Sequence, residues 1–568
     1  MRSPALRPLV ASLALAALAS APACSESFPK PTTTAPLPLP ASKVVESGPV
    51  TIRRETFVIR GATAPANPVG NRATPDEQNQ VRVVRYRVDS TPPKPARAVF
   101  VMMPGFLGGA LSLDGLARAV VRRSAGDDAF EAWAIDRRSN LLEDTTGVDR
   151  AEAARDPSIA RRYYFEGEPV GDKTFGGFLR GLDAPWASEW GMATTLGDLR
   201  AVIGLVPEAA RAQRVVLVGH SLGASIVESY AAWDFDGKPG YSELAGLVLV
   251  DGAGQREGDP PSKVDRGVYE NGGGNAPGGF GQSLGVVKNL RQGGDVFFAL
   301  PFLGVKAYVV AEYLAMKSLW SPTAVTTDDP EHSSLLALLL GLPQPLPRIQ
   351  DRAAFGLAFD EASSPLSFAT VKAGRADGGA LTPYKGLLGD QLLHPSDPNA
   401  TYSWLDWDKV TPRENTALDD VARSWFDGPG TNYAEWYFPQ RLSLDSTVTT
   451  TLNVTEDDWR WQVYGLRAKH GAAIDVPVYA AAFSLLGSVQ PFQAFKKMLP
   501  PIGAGRPLAG KDRGDRDAFR EDAFVDLSHL DGIIGVDAEG SNVRKFYDAV
   551  VDHAKKSTPP GGVAIDVR

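Results

Sequence analysis

The chain has 568 residues, enough for one large domain or a few ordinary ones, and its 43% hydrophobic and 22% charged composition suits a globular protein with a sizeable core. Lys+Arg number 59 against Asp+Glu 67, a formal net charge of −8, and no strongly basic block occurs, so nucleic acid is not an expected partner. A single cysteine, Cys24, rules out an intramolecular disulfide and a cysteine-based metal cluster.

The first 23 residues read as a bacterial secretory signal: Arg2 and Arg7, an alanine- and leucine-rich apolar stretch, then small residues. The apolar stretch is too short for a good membrane span. Ala21-Pro22-Ala23-Cys24 supports two readings. It resembles a lipoprotein box, which would make Cys24 a lipidated first residue, with Ala21 standing where leucine is usual. Alternatively, Ala21 and Ala23 mark an A-x-A cleavage site and Cys24 is incidental. Either reading predicts an exported protein: a periplasmic or cell-surface lipoprotein, or a secreted one. Residues 24–48 are rich in Pro, Thr and Ser and read as a flexible tether.

Structure is expected from about residue 49. The segments at 51–61 (TIRRETFVIRG) and 80–90 (QVRVVRYRVDS) alternate polar and apolar residues, as half-buried strands do. ARAVFVMM at 96–103 is a fuller apolar run, and AFEAWAID at 129–136 reads as a further strand. A helix with a proline stop follows at 194–207, then a buried strand RVVLV at 214–218, a helix after Ser221, and the strand AGLVLV at 245–250. From 260 to 474 this rhythm breaks into a block rich in Gly, Pro and Trp with short apolar helices. Within it, 296–320 could suggest a membrane span, but Pro301, Lys306, Glu312 and Lys317 interrupt it. A cap helix is the better reading, and SLLALLLGL at 334–342 reads as a short buried helix. Strands return at 476–483 (VPVYAAAF) and 521–527 (EDAFVDL), and a helix closes the pattern at 543–556. The expected organisation is a core at 49–259 and 475–557, a cap insertion at 260–474, and a tail at 558–568. The fold class is α/β: a mostly parallel sheet flanked by helices, with a large, mainly helical cap between the sixth and seventh strands.

Gly219-His220-Ser221-Leu222-Gly223 matches G-x-S-x-G between a buried strand and a helix. A nucleophile on so sharp a turn needs small neighbours, which Gly219, Gly223 and Ala224 provide. Here the chain resembles the α/β-hydrolase superfamily, of the serine esterase and lipase kind, over residues 95–255 and 475–556. The resemblance implies Ser221 as nucleophile and an oxyanion hole in PGFLGG at 104–109, where Pro104-Gly105 stands in the usual His-Gly place. Phe106 and Leu222 would supply the two backbone amides.

Six histidines are candidates for the base. His220 lies inside the elbow and is expected to face away from the serine's partner. His332 and His394 lie in the insertion, His470 lies on the wrong side of a strand, and His553 sits on a mostly polar helix and is expected to be solvated. His529 follows the last strand, where the superfamily places its base, and HLDGIIGVDA resembles a run in acid lipases. The usual place for the acid, after VPVYAAAF, holds none. The superfamily's alternative position, after the preceding strand, is occupied by Asp251, which could instead cap its turn through the Ala253 or Gly254 amides. Asp531 reads as a local loop anchor. Arg137 and Arg138 could orient a substrate anion or pin the cap to the core. No cofactor or metal motif occurs. The resemblance implies a serine hydrolase acting on a small-molecule or lipid-like ester. An acyltransferase, an amidase or a non-catalytic scaffold on the same fold are the alternatives.

Overall fold

The computed structural model describes residues 41–126, 128–252, 265–272, 286–298, 304–326, 347–364, 366, 369–385 and 391–566. Cys24, His332 and the segment 334–342 lie outside them.

Nine strands form the central sheet: β1 (Ala41–Glu46), β2 (Ile52–Arg60), β3 (Gln80–Val88), β4 (Ala96–Met103), β5 (Ala129–Asp136), β6 (Val215–His220), β7 (Gly246–Val250), β8 (Val478–Ala482) and β9 (Phe519–Ala523). Their lateral order is β1-β2-β3-β5-β4-β6-β7-β8-β9. Pairing is antiparallel from β1 to β3 and between β3 and β5. From β5 to β9 every neighbouring pair is parallel. The apolar runs of β4, β6 and β7 follow from this, because a central parallel strand is covered on both faces. Helices α1 (Asp114–Arg122), α2 (Met192–Ile203) and α3 (Leu222–Ala232) follow β4, β5 and β6. Two more, α4 (Lys306–Trp320) and α5 (Asn542–Ser557), lie in the insertion and at the end of the core. Helices α1 and α5 pack together over one face of the sheet, and α2 and α3 over the other. This is an α/β-hydrolase sheet with an added antiparallel strand at one edge.

That added strand corrects the expected tether. Residues 41–46 fall in the segment read as flexible, yet they pair with β2 in register from Ala41 opposite Thr56. Long-range ion pairs hold them there. Lys43 meets Asp427, and Glu46 accepts from Arg122 at 2.6 and 2.7 Å. The extra strand also places the insertion between the seventh and eighth strands of the sheet rather than the sixth and seventh. The insertion carries, besides its helices, a small sheet of Arg348–Ile349, Thr401–Asp406 and Gly374–Asp377 and the hairpin Leu381–Lys385 with Gln391–Pro395. Among the described residues no helix is long and apolar enough to cross a membrane. Helix α4 buries Glu312 completely. The final residues pack too: Val563 and Ala96 exchange backbone hydrogen bonds at 2.8 and 2.9 Å.

Candidate active site

Strand β6 delivers Ser221 to the carboxyl end of the sheet, and α3 begins at the next residue. Ser221 adopts φ 55° and ψ −123°, a conformation that side chains other than glycine rarely hold and that costs on the order of 1–3 kcal/mol. Close neighbours enforce it. A Cβ on Gly219 would lie 2.2 Å from the Gly223 carbonyl oxygen, and one on Gly223 would lie 2.3 Å from that of Met103. One on Gly252 would lie 2.1 Å from the Ser221 carbonyl oxygen. The turn is locked further by the Ser221 amide, which donates to the Val250 carbonyl at 2.9 Å. Leu222 opens the helix, so its amide belongs to the positive end of the α3 dipole beneath the serine.

The loop 104–109 comes in from β4. A Cβ on Gly105 would stand 2.9 Å from the Ser221 Cβ, so this backbone runs hard against the nucleophile candidate. Phe106 follows, with its ring packed edge-on against Phe298 at 5.0 Å and Phe438 at 4.7 Å. Leu107 takes φ 59°. Arg137 holds the loop from behind. Its guanidinium donates to the carbonyls of Pro104 (3.1 Å), Gly105 (2.8 Å) and Gly108 (3.1 Å) and pairs with the buried Glu435 at 2.6 Å. Insertion residues brace it from the front: the Gly109 amide donates to the Tyr433 carbonyl at 2.6 Å, and the Glu435 amide to the Leu107 carbonyl at 2.9 Å. Arg137 therefore pins the cap to the core and faces no open substrate space. Arg138 is likewise buried, held by Asp198, Asn79 and the Ala62 carbonyl.

The acid and base candidates meet. His529 Nδ1 lies 2.7 Å from Asp251 Oδ2, and both side chains are buried. The carboxylate is otherwise satisfied by the turn after β8. Its Oδ1 accepts from the Phe483 amide at 2.7 Å and the Leu486 amide at 3.2 Å, while Oδ2 accepts from the Leu485 amide at 3.3 Å. The turn that lacks an acid of its own thus supplies amide donors to the acid at the end of the neighbouring strand. This is also where the capping alternative stands: Asp251 takes amides from the β8 turn, and Ala253 and Gly254 lie outside the described residues. With Nδ1 engaged, Nε2 is the nitrogen left for the serine. Among the described residues no hydrogen bond links the Ser221 hydroxyl to the His529 ring. Such contacts often tighten only around a bound substrate.

Among the described residues the other histidines fall away from the role of base, two of them for reasons the sequence did not show. His470 lies 2.9 Å from Asp234, and His394 stacks on Tyr384 at 4.6 Å. His553, expected to be solvated, is buried, and desolvation pushes it down to about 3. Its helix is polar on average, but Val543, Phe546, Tyr547 and Val550 lie on one face with it. His220, expected to face away, instead sets its ring 4.4 Å from the His529 ring at 34°. Asp531 is the loop anchor foreseen. It accepts from the Lys372 and Ser528 amides at 3.0 and 2.8 Å and from Thr416 at 2.6 Å. Glu435 was not singled out from sequence. Its signal is a lone acid inside the aromatic run NYAEWYF, where only burial against an arginine makes sense. Among the described residues no cluster of three or more His, Cys, Asp or Glu is arranged to hold a metal ion.

No protein-family model matches the chain, and no curated protein does. Among solved structures it is similar to a candidate lipase from Sulfolobus solfataricus at 13% identity, over 90% of this chain and 99% of that one, with a TM-score of 0.43. It is also similar to a peroxisomal alpha-beta-hydrolase from Saccharomyces cerevisiae at 9% identity, over 91% and 93%, with a TM-score of 0.37. A third is a thermophilic esterase from Thermogutta terrifontis at 8% identity, over 88% and 100%, with a TM-score of 0.31. With scores this low, the strand order and the elbow carry the fold, and they are those of an α/β-hydrolase.

Proposed function

We propose that this chain is a serine hydrolase that cleaves carboxylic esters through an acyl-enzyme. The observation that carries the reading is the 2.7 Å contact of His529 Nδ1 with a buried Asp251, beside the strained elbow of Ser221. Ser221 Oγ attacks the ester carbonyl while His529 Nε2 takes its proton. Asp251 holds the ring with Nδ1 protonated and balances the imidazolium that forms. The backbone amides of Phe106 and Leu222 stabilise the oxyanion. His529 then protonates the leaving alcohol, and water repeats the sequence to release the acid. The Phe106, Phe298 and Phe438 rings next to the oxyanion loop favour an apolar acyl group.

Labelling with a fluorophosphonate probe tests the reading. Wild type is expected to label at Ser221 and Ser221→Ala to stay blank; equal labelling of the two would sink it. Nitrophenyl esters of graded chain length then define the acyl preference, and product analysis with alcohol or amine acceptors separates hydrolysis from acyl transfer and amide cleavage. We further propose export, with Cys24 as lipid anchor. Cys24→Ala should release the protein from the membrane fraction, and unchanged fractionation would reject the anchor.

A further inference from the structure

The second residue of the elbow does more than fill space. His220 ends β6, is buried, and points its ring at the histidine proposed as base. Its Nε2 lies 3.0 Å from the His529 carbonyl oxygen. A carbonyl can only accept, so Nε2 carries the proton and the Nδ1 lone pair stays free of it. The bond is placed where it matters. The neighbours of His529 are tied elsewhere: the Ser528 amide to Asp531, and the Leu530 amide to the Thr370 carbonyl at 3.0 Å. Among the described residues the His220 bond is the only hydrogen bond joining the elbow at 219–223 to the loop at 528–531. It therefore sets the distance between the strand that carries the serine and the backbone that carries the base.

The ring must also remain neutral. Desolvation and the neighbouring His529 both hold the His220 imidazole well below the ordinary histidine range. A second cation 4.4 Å from His529 would oppose the imidazolium formed at each proton transfer. A neutral ring with a fixed Nε2–H avoids that.

We propose that His220 is a positioning residue for the reaction: its Nε2–H bond to the His529 carbonyl fixes the base against Ser221. This rests on the reading of Ser221 and His529 as nucleophile and base. It implies that the second elbow position needs a neutral donor at the reach of a histidine Nε2. Glutamine places an amide N–H at that reach, whereas asparagine is too short and leucine has no donor.

The test compares His220→Gln, His220→Asn and His220→Leu in the full chain, with 4-nitrophenyl butyrate as substrate. A misplaced base is expected to lower kcat by about 10- to 100-fold in the Asn and Leu variants, with KM nearly unchanged. The Gln variant should recover most of that loss. The low-field proton resonance of His529 Nδ1–H should persist in wild type and Gln and disappear in Asn and Leu. Wild-type kcat in both Asn and Leu, or a Gln variant as impaired as they are, would overturn the proposal. If Leu does not fold, the Gln and Asn pair decides. Should wild type fail to label at Ser221, the hydrolase reading falls instead. The resonance needs no turnover and then decides alone, with an unchanged signal in every variant counting against His220.

Discussion

Asp251→Asn changes one atom and sets two requirements against each other. The aspartate serves Phe483 and Leu486 through Oδ1, and Leu485 and His529 through Oδ2. An asparagine must choose which side keeps an oxygen. With the NH2 group at the Oδ1 position, the Phe483 and Leu486 amides face a donor, and one buried and one half-buried N–H group lose their acceptor, at up to about 1–3 kcal/mol each. With the NH2 group at the Oδ2 position only the Leu485 amide is lost, and that bond is the longest at 3.3 Å. The second arrangement wins. It points a donor at His529 Nδ1, so the ring must carry its proton on Nε2 and can no longer accept the serine proton. The expected loss in kcat is then about 10⁴-fold, the scale seen for a wrong tautomer in serine proteases, or roughly 5.5 kcal/mol of barrier. Stability should fall by at most about 1–3 kcal/mol, for one half-buried amide left unpaired. Steady-state hydrolysis of a nitrophenyl ester gives the first number and thermal unfolding the second. A folded variant with kcat within tenfold of wild type would refute the assignment of Asp251 and the tautomer argument with it.

Further substitutions probe the supports of the site. Gly252→Ala places a methyl 2.1 Å from the Ser221 carbonyl oxygen, so the elbow must shift; activity should fall steeply, and a variant with wild-type kcat would show that the turn can relax. Arg137→Met leaves Glu435 buried and unpaired, at about 3–5 kcal/mol. Adding Glu435→Gln should restore part of the melting temperature but not the oxyanion-loop contacts, so kcat should stay low; recovery of both together would deny Arg137 its hold on the loop. Burial pushes the Glu312 carboxyl up to about 8, with Trp436 and Asn432 as its donors. The folded state therefore binds the extra proton between the unfolded carboxyl range and about 8, and stability falls as pH rises through that window, by at most about 5 kcal/mol for this group. Glu312→Gln should flatten the decline seen by thermal unfolding from pH 5 to 9; parallel curves for the two proteins would reject it.

What was legible in the sequence had a local cause. The elbow could be read because its glycines are required by contacts within a few residues, such as Gly219 against Gly223. Asp251 could be reached because the only other strand end of use held no acid. The misses share a different cause. β1 sits in a segment whose Pro, Thr and Ser content reads as open chain, and the groups that order it, Arg122 and Asp427, are far away in sequence. His553 was misread through the average polarity of its helix, although the spacing of Val543, Phe546, Val550 and Ala554 marks a buried face that includes it. The direction of His220 follows from where the 528–531 loop crosses the elbow, which no local pattern encodes.

Glu435 and its neighbours change what the insertion is. A lid that merely covers a site can leave without disturbing it. Here the segment 433–435 bonds to the loop 104–109 through Gly109 and Leu107, and Arg137 clamps the same loop to Glu435. Ser139 adds its hydroxyl to Glu435, and Phe438 packs on the Phe106 ring. Moving this segment away would strip the loop 104–109 of two backbone bonds and break a buried ion pair, a loss of several kcal/mol. The bonds made by 433–435 therefore favour keeping this segment docked on the loop. In that sense the core ends where the sheet does not: a piece of the insertion belongs to the foundation of the loop 104–109.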